Sequence, residues 1–352
     1  MFKMPLLKFL LITIFIILNV SSSHARPEFS ITKIEVPKDF IVRRANVFND
    51  AGEIGGDLIY SLSSVGARKT LAAKLVPGGV KELMTLNLDD YPYSVVENMS
   101  GNGVAVGQMI HLPSQEVRLF RTMPNSQTED LGAQNSTAIN DVNNLGHFVY
   151  NALDFSGKCY GCANFTRLEN SDIISINDFD EMVGTDYGRN LSPFFITSEG
   201  TIQYMNAILG NQVFPISLNN EGTIAAQVVE NNSFHTIVWN QDWGKIRVTD
   251  PTGRSTDDVN LFALNNYNVA VGTAGDAGTF PFTEFRAVIW DPVHGSRDLN
   301  SLIRAPQGLV LQFAVTINEN NEILAMSNIR STSKSFSADF YILRPINRIK
   351  NQ

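Results

Sequence analysis

Short apolar runs separated by turns rich in Asn and Gly recur along most of this 352-residue chain. The pattern is clearest in a nine-residue motif, of which seven copies occur. The copies read FNDAGEIGG, MSGNGVAVG, VNNLGHFVY, INDFDEMVG, LNNEGTIAA, LNNYNVAVG and INENNEILA, and begin at Phe48, Met99, Val142, Ile176, Leu218, Leu264 and Ile317. Such internal repetition predicts a fold assembled from similar units.

Each position of the motif has a structural interpretation. The second positions carry a side chain that accepts a local hydrogen bond in a tight turn; they are Asn49, Ser100, Asn143, Asn177, Asn219, Asn265 and Asn318. The fifth positions carry residue types that tolerate a positive φ; they are Gly52, Gly103, Gly146, Asp180, Gly222, Asn268 and Asn321. The ninth position is Gly or Ala except at Tyr150, which predicts a close approach of two backbones. The motif therefore predicts a hairpin turn between two strands.

A second apolar strand, a turn and a shorter strand follow most copies, so each unit supplies four short strands. Successive second positions are 34 to 53 residues apart, a length typical of propeller blades. We therefore predict an all-β fold, a seven-bladed β-propeller of four-stranded antiparallel blades; an open β-solenoid is the alternative. In the shortest, third unit, Ile173 follows Leu168 closely, which predicts that this unit lacks a full fourth strand.

The predicted last unit supplies only three strands, the final one ending at Phe340–Leu343. The alternating segment Ile31–Val36 precedes the first complete unit. We predict that this segment is the outer strand of the seventh blade and pairs with Phe340–Leu343, because an open ring would expose strand edges. Residues 26–346 then form one domain, followed by a short tail at 347–352.

The first 25 residues are typical of a signal peptide. Lys3 and Lys8 precede a largely apolar run, Phe9–Val20, and Ser23-His24-Ala25 forms a cleavage site. The run is short for a membrane span, and an uncleaved anchor is the alternative. Export to the periplasm or the extracellular space follows, with no membrane span in the mature form. Loss of the two lysines changes the net charge from −8 to −10, which argues against nucleic acid as a partner.

The motif, with its later aromatic strand ending near Trp and its Asp-Leu, resembles the HAF repeat of bacterial exported proteins. Asp130-Leu131 and Asp298-Leu299 stand at the positions of that Asp-Leu pair. The resemblance covers nearly all of residues 29–343. It implies a propeller-like fold outside the cytoplasm and supplies no catalytic residues.

The two cysteines of the chain form Cys159-Tyr160-Gly161-Cys162. Redox catalysis and zinc binding are the functional interpretations of this spacing, but no His or second Cys pair lies nearby in the sequence. We predict a local disulfide in a loop, Phe155–Cys162, that joins two strands of the third unit.

Motifs of common enzymes are absent from the sequence: G-x-S-x-G, H-E-x-x-H and the phosphate-binding loop do not occur. The mature histidines His111, His147, His235 and His294 are dispersed without metal-ligand spacing. Asp178 and Asp180 are interpreted as turn residues rather than calcium ligands, because the other ligands of a calcium loop are missing. Aromatic residues near prolines can hold sugars or peptides, but in a propeller they more often cover the ends of blades; they are Tyr91, Tyr93, Phe280, Phe282 and Phe285.

These observations favour a binding module, monomeric and without a cofactor, for an unidentified protein or glycan. The alternative is an enzyme, a hydrolase or lyase acting on surface glycans, with its site on the propeller axis. Several ionisable groups in a deep axial pocket would favour the enzyme.

Overall fold

The structure is a computed structural model that describes residues 28–35, 40–61, 68–76, 79–83, 86, 89–124, 127–133, 136–152, 156–165, 167–230, 233–253, 259–275, 285–332 and 335–346. The predicted signal peptide and C-terminal tail lie outside these residues. Within them, the regular secondary structure is almost entirely β-strand. The chain adds one four-residue helix, α1 (Asn206–Leu209), and two 3-10 turns at Tyr187–Arg189 and Leu299–Ser301.

The described strands follow the repeat, with β1 (Phe29–Lys33) before the first unit. Unit 1 contains β2 (Phe40–Phe48), β3 (Ile54–Ser61), β4 (Arg68–Val76) and β5 (Gly79–Leu83). Unit 2 contains β6 (Tyr93–Met99), β7 (Ala105–His111), β8 (Glu116–Thr122) and β9 (Thr128–Gly132). Unit 3 contains β10 (Ser136–Val142), β11 (Phe148–Ala152), β12 (Ser156–Tyr160) and β13 (Arg167–Glu169).

The later units have the same order. Unit 4 contains β14 (Ser171–Ile176), β15 (Met182–Asp186), β16 (Ser192–Ile196) and β17 (Ile202–Tyr204). Unit 5 contains β18 (Val213–Leu218), β19 (Ile224–Glu230), β20 (Ser233–Asn240) and β21 (Gly244–Arg247). Unit 6 contains β22 (Val259–Leu264), β23 (Ala270–Ala274), β24 (Arg286–Asp291) and β25 (Gly295–Asp298). Unit 7 contains β26 (Leu311–Ile317), β27 (Ile323–Thr332) and β28 (Ser335–Pro345).

Each unit is an antiparallel meander in which strands pair with their neighbours in chain order. Units 1 and 2 are joined into one eight-stranded sheet by a parallel bridge between Thr70 and Tyr93. Units 3 to 6 are separate four-stranded sheets. The predicted all-β fold of four-stranded antiparallel sheets is therefore confirmed.

The fourth strand of unit 3 is present, so the prediction that this unit lacks a full one is wrong. β13 pairs with β12, and Ser156 faces Glu169 across the pair. Asn170 alone separates β13 from β14, and its φ of 49° lets the chain reverse within one residue. Asn tolerates this left-handed conformation, which made the short connection possible.

β1 belongs to the sheet of unit 7, in the order β1-β28-β27-β26. Ile31 faces Leu343 and Lys33 faces Tyr341 in an antiparallel pair. The strand begins two residues earlier than the predicted segment 31–36 and ends at Lys33, although Ile34 N–H still donates to the Phe340 carbonyl at 2.9 Å. At the start of the described chain, Ile346 N–H donates to the Glu28 carbonyl at 2.8 Å.

The apolar core lies between the sheets of neighbouring units rather than within one layer. Val96 and Phe120 of unit 2, for example, pack with Ala72 of unit 1. Leu324 and Ile342 of unit 7 likewise pack with Ile54 and Leu58 of unit 1. Burial of one such Leu or Ile side chain stabilises the fold by about 1.5–3 kcal/mol. The first strands of successive units contact one another in chain order, and β26 also contacts β2. Sheets packed face to face around their first strands form a β-propeller.

Candidate functional site

The turn between the first and second strands of each unit is organised by its second residue. In unit 5, the Asn219 side-chain oxygen accepts hydrogen bonds from the main-chain N–H groups of Glu221 at 3.0 Å and Thr223 at 2.8 Å. Asn49, Asn143, Asn177, Asn265 and Asn318 make the same pair of contacts in their own turns. All seven described fifth positions have a positive φ, from 56° at Asn321 to 92° at Gly103.

Five of these six asparagines also reach across to the next unit, which the sequence analysis did not anticipate; the side-chain amide of the sixth, Asn49, donates to the Glu53 carboxylate of its own turn. The Asn219 amide nitrogen donates to the Asn265 carbonyl at 2.8 Å, and Asn265 donates to the Asn318 carbonyl at 3.1 Å. Asn143 and Asn177 donate in the same way to the carbonyls of Asn177 and Asn219. We call these second-position residues the asparagine belt. Ser100 has no amide to donate, and in its unit the Asn102 side chain donates to the Asn144 carbonyl at 2.7 Å.

The third positions of the motif form an inner circuit of hydrogen bonds. Asn144 N–H donates to the Asp178 carboxylate at 2.8 Å, and Asp178 N–H donates to the Asn220 side chain at 2.9 Å. The circuit continues through Asn266 to Glu319, whose N–H donates to the Asp50 carboxylate at 2.8 Å. Asp50 N–H then donates to the Gly101 carbonyl, and the next residue, Asn102, donates to the Asn144 side chain. A Cβ at Gly101 would lie 2.6 Å from an Asp50 oxygen, so a larger residue at this position would displace the Asp50 carboxylate.

These residues line the mouth of an axial cavity of about 260 Å³, which is bounded by the ends of the first strands from every unit. Burial raises the pKa of Glu319 to about 7, and the nearby charges of Asp50 and Asp178 add to the shift. Burial also raises the pKa of Asp50. Deeper along the wall, burial raises the pKa of Asp141 to about 6, although Ser175 and the Ile176 N–H donate to its carboxylate. No Lys, Arg or His lines this cavity among the described residues.

The fourth positions project outward around the mouth of the cavity. Three of them are large apolar side chains that are mostly exposed: Leu145 at 54%, Phe179 at 59% and Tyr267 at 65%. We call these three residues the apolar rim. The corresponding residues of the other units are small, polar or charged; they are Ala51, Asn102, Glu221 and Asn320. We call this end of the molecule, with its turns, rim and cavity mouth, the turn face.

The aromatic residues singled out in the sequence have other positions. Tyr91 is buried, and its hydroxyl donates to Asp130 at 2.8 Å. Phe285 is also buried, so neither Tyr91 nor Phe285 is available to hold a ligand at the surface. Tyr93 is 42% exposed, and Phe280 and Phe282 lie outside the described residues. The exposed aromatic residues of the turn face are Phe179 and Tyr267, which occupy the fourth position of the repeat. That position has no role in forming the turn, so the sequence pattern gave no reason to select these residues.

The predicted disulfide between Cys159 and Cys162 is confirmed. Its predicted place in a loop is wrong for Cys159, which lies in β12 opposite Val149, while Cys162 follows the strand. His147 and Asp180 are brought beside Cys162 by the packing of units 3 and 4. Because His147 and Asp180 are far from Cys162 in the sequence, their spacing did not predict that these side chains would meet.

The other histidines are accounted for by local contacts. His235 is buried with Nε2 3.3 Å from the Glu230 carboxylate. His294 lies exposed beside Asp291, and His111 contacts Ser114. Asp178 and Asp180 lie in a turn, as predicted, but their carboxylates accept hydrogen bonds from unit 3, Asp178 from the Asn144 N–H and Asp180 from the Asn143 side chain.

Comparison with known proteins supports the fold of the chain but assigns the chain to no family. No protein-family model matches the chain, and no curated protein matches it. The solved structure of Pyrococcus horikoshii acylaminoacyl peptidase matches with a TM-score of 0.56 and 9% identity, covering 88% of this chain and 52% of the peptidase. The chain thus spans about half the length of that enzyme, and at this identity the likeness concerns the fold alone. The Dos1 propeller matches with a TM-score of 0.47 and 10% identity, covering 91% and 94% of the two chains. Among the described residues, no helix has the length and apolar content needed to cross a membrane.

Proposed function

We propose that the chain is an exported, monomeric, seven-bladed propeller, closed by β1, that binds a glycan at its turn face. The observation that carries the binding function is the apolar rim beside a cavity lined by amides and carboxylates. Sugars combine apolar C–H faces with hydroxyl groups, and such a site offers a partner for each. We propose in addition that the units are HAF repeats, which they resemble in sequence, and that the protein is located in the periplasm or outside the cell.

Four features support the closed seven-bladed form. β26 contacts β2, and an apolar cluster joins units 7 and 1 as others join successive units. Asn318 donates to the Asn49 carbonyl at 2.9 Å, which continues the asparagine belt from the last unit to the first. β1 supplies the fourth strand of the last sheet. The export proposal rests on the pattern of residues 1–25 and agrees with a disulfide, since disulfides persist mainly in oxidising compartments.

The binding function is tested with an array of neutral, amino-sugar and uronic-acid oligosaccharides. We expect the mature protein to bind members of the array, and the double variant Phe179→Ser, Tyr267→Ser to bind them at least tenfold more weakly. Phe234→Ser is the matched control, because Phe234 is 57% exposed and faces Val229 at the opposite end of its sheet. Wild-type protein that binds no oligosaccharide, or that loses as much affinity through Phe234→Ser, would contradict the proposal.

A glycan-cleaving enzyme is the second candidate, and one observation favours it. The carboxyl of Glu319 lies in the axial cavity with a pKa raised to about 7, which suits a general acid or base near neutral pH. Against it, both Glu319 oxygens accept the Asn266 N–H, at 3.2 and 3.0 Å, so the carboxyl has a structural use. Mass spectrometry of the bound oligosaccharides decides between the two. Cleavage products that disappear with Glu319→Gln would favour the enzyme, and intact oligosaccharides favour the binding module.

A further inference from the structure

The surroundings of the Cys159–Cys162 disulfide contain two further metal-ligating side chains. A ring nitrogen of His147, the sulfur of Cys162 and a carboxylate oxygen of Asp180 all lie within 4.8 Å of one another. The disulfide places the Cys159 sulfur at the same point. Both cysteines are only 7% exposed. Two sulfurs, an imidazole and a carboxylate are the donor types that Zn²⁺ prefers in proteins.

These residues depart from the repeat at the positions where they meet. His147 occupies the sixth position of the motif, which holds Glu, Val or Thr in the other units. Asp180 occupies the fifth position, where the other units have Gly or Asn. A positive φ explains Gly or Asn at that position but does not require a carboxylate. The Asp180 carboxylate instead engages the Nδ1 of His147, at 2.9 and 3.1 Å. The departures are therefore explained by a contact between units rather than by the turn.

A small, partly open cavity adjoins this cluster on the side of Cys162 and Asp180. Its volume is about 30 Å³, Met182 also lines it, and His147 and Cys159 lie outside its lining. This volume exceeds the ~10–15 Å³ that one water molecule needs. Gly161, between the two cysteines, packs on the imidazole so closely that a Cβ would lie 2.3 Å from its Cδ2 and 3.1 Å from its Nε2. With Nδ1 held by Asp180, Nε2 lies on the ring edge that faces the Cys-x-x-Cys turn.

We propose that reduction of the Cys159–Cys162 disulfide creates a site for a thiophilic divalent cation, Zn²⁺ foremost. The two sulfurs and Nε2 of His147 are the protein ligands, and water takes the fourth position. Asp180 holds the imidazole through Nδ1, as carboxylates commonly do for zinc-bound histidines. A dithiol reductant transfers two electrons and two protons to the disulfide and becomes a disulfide itself. Zn²⁺ then displaces both thiol protons, so that two thiolates balance the charge of the cation.

The experiment uses the full mature chain, oxidised or reduced, titrated with Co²⁺ and then with Zn²⁺. We expect reduced protein to bind one Co²⁺ with a thiolate-to-cobalt charge-transfer band, which Zn²⁺ removes by displacement, and oxidised protein to bind none. Cys162→Ser should abolish the band. His147→Ala should weaken binding more than tenfold, whereas His111→Ala, a matched control at a distant histidine, should leave it unchanged.

Asp180→Asn separates this proposal from a purely structural role. Asn occupies the same position in units 6 and 7, at Asn268 and Asn321, so this variant should keep the turn. We expect its melting temperature to stay near that of the wild type and its Co²⁺ affinity to fall about 10- to 100-fold. Reduced wild-type protein that binds no Co²⁺, or a band and affinity unaffected by both His147→Ala and Asp180→Asn, would overturn the proposal.

Discussion

The side-chain amide of Asn318 donates a 2.9 Å hydrogen bond to the main-chain carbonyl of Asn49, a residue 269 positions earlier. Asn318 simultaneously accepts two N–H groups of its own turn, at 3.0 Å from Asn320 and 2.9 Å from Glu322. One side chain therefore completes a local turn and links two units. An amide offers both an acceptor and a donor on one short side chain, whereas an aspartate carboxylate offers only acceptors, which explains the frequency of Asn over Asp at this position.

Replacing Asn219 by Asp isolates the donor half of this contact. Aspartate keeps the acceptor for the Glu221 and Thr223 N–H groups but loses the donor to the Asn265 carbonyl and the Asn268 side-chain oxygen. Because this site is buried, we expect a loss of about 2–3 kcal/mol in the free energy of unfolding, measured by urea denaturation. Asn164→Asp is the control, since Asn164 donates to the Ser198 carbonyl in an exposed position. Equal losses of stability in the two variants would contradict the conclusion that the buried hydrogen bonds between units stabilise the fold.

Deletion of residues 26–37 removes β1, its pairing with β28 and the buried side chains of Phe29 and Ile34. We expect the melting temperature of the mature protein to fall by at least ~5–10 °C, because several hydrogen bonds and about 3 kcal/mol or more of apolar burial are lost. The exposed edge of β28 should also promote oligomers, visible by size-exclusion chromatography. Deletion of residues 347–352 is the control. A protein without residues 26–37 that melts like the intact mature chain would disprove closure by β1.

Glu319 gives the stability of the protein a defined pH dependence. Its pKa is raised from 4.5 to about 7, mainly by burial, so the folded protein binds the proton more tightly than the unfolded chain. The contribution of Glu319 to the free energy of unfolding is therefore fully present below about pH 4.5 and is lost as the pH rises through about 7. We expect Glu319→Gln, which keeps an oxygen for the Asn266 N–H, to be more stable than wild type at pH 8 by about 1 kcal/mol, after allowance for partial exposure.

The same comparison at pH 4.5 should show little difference between Glu319→Gln and wild type. Chemical denaturation at both pH values measures this difference. The control is Glu221→Gln, because Glu221 is an exposed residue of the turn face. A Glu319→Gln variant whose advantage does not grow between pH 4.5 and pH 8 would contradict the assignment.

Gly272 occupies the ninth position of the motif, where the backbones of β22 and β23 approach closely. A Cβ at Gly272 would lie 1.9 Å from the Asn260 carbonyl oxygen, and Gly107 and Gly184 face equivalent carbonyls at 2.0 and 2.1 Å. We expect Gly272→Ala to destabilise the protein by about 2–4 kcal/mol, since the backbone must shift. Gly308→Ala, at a positive φ but in open space, should cost only about 1 kcal/mol. Thermal denaturation that ranks the two variants in the reverse order would argue against this steric role.

The local part of the fold was predictable because its chemistry lies within single copies of the motif. Turn residues such as Asn49 and Gly52 act on neighbours within four positions, so their spacing is visible in the sequence. The strand near Ile31 was also predictable, because three strands in the last unit left an edge without a partner. By contrast, one left-handed residue, Asn170, sufficed where the spacing argued against a fourth strand.

The candidate sites were mostly hidden, because they form between units. The contact of His147 with Asp180 joins residues 33 positions apart, and neither has a metal-ligand spacing with the cysteines. The signal available in the sequence was their departure from the motif at the sixth and fifth positions. The carboxyls of the axial cavity were similarly concealed, since Asp50, Asp178 and Glu319 look like ordinary turn residues in their own copies.

The pairing of β1 with β28 also has a kinetic consequence. Ser30 and Arg344 are 314 positions apart, so this pairing closes a loop that contains nearly the whole chain. Contacts of such long range form slowly, because the entropy of closing the loop is lost before the contact stabilises anything. We therefore expect the pairing of β1 with β28 to be among the last contacts to form. The adjacency of Glu28 and Ile346 means that a short linker between them, with the chain reopened elsewhere, would turn this long-range pairing into a local hairpin.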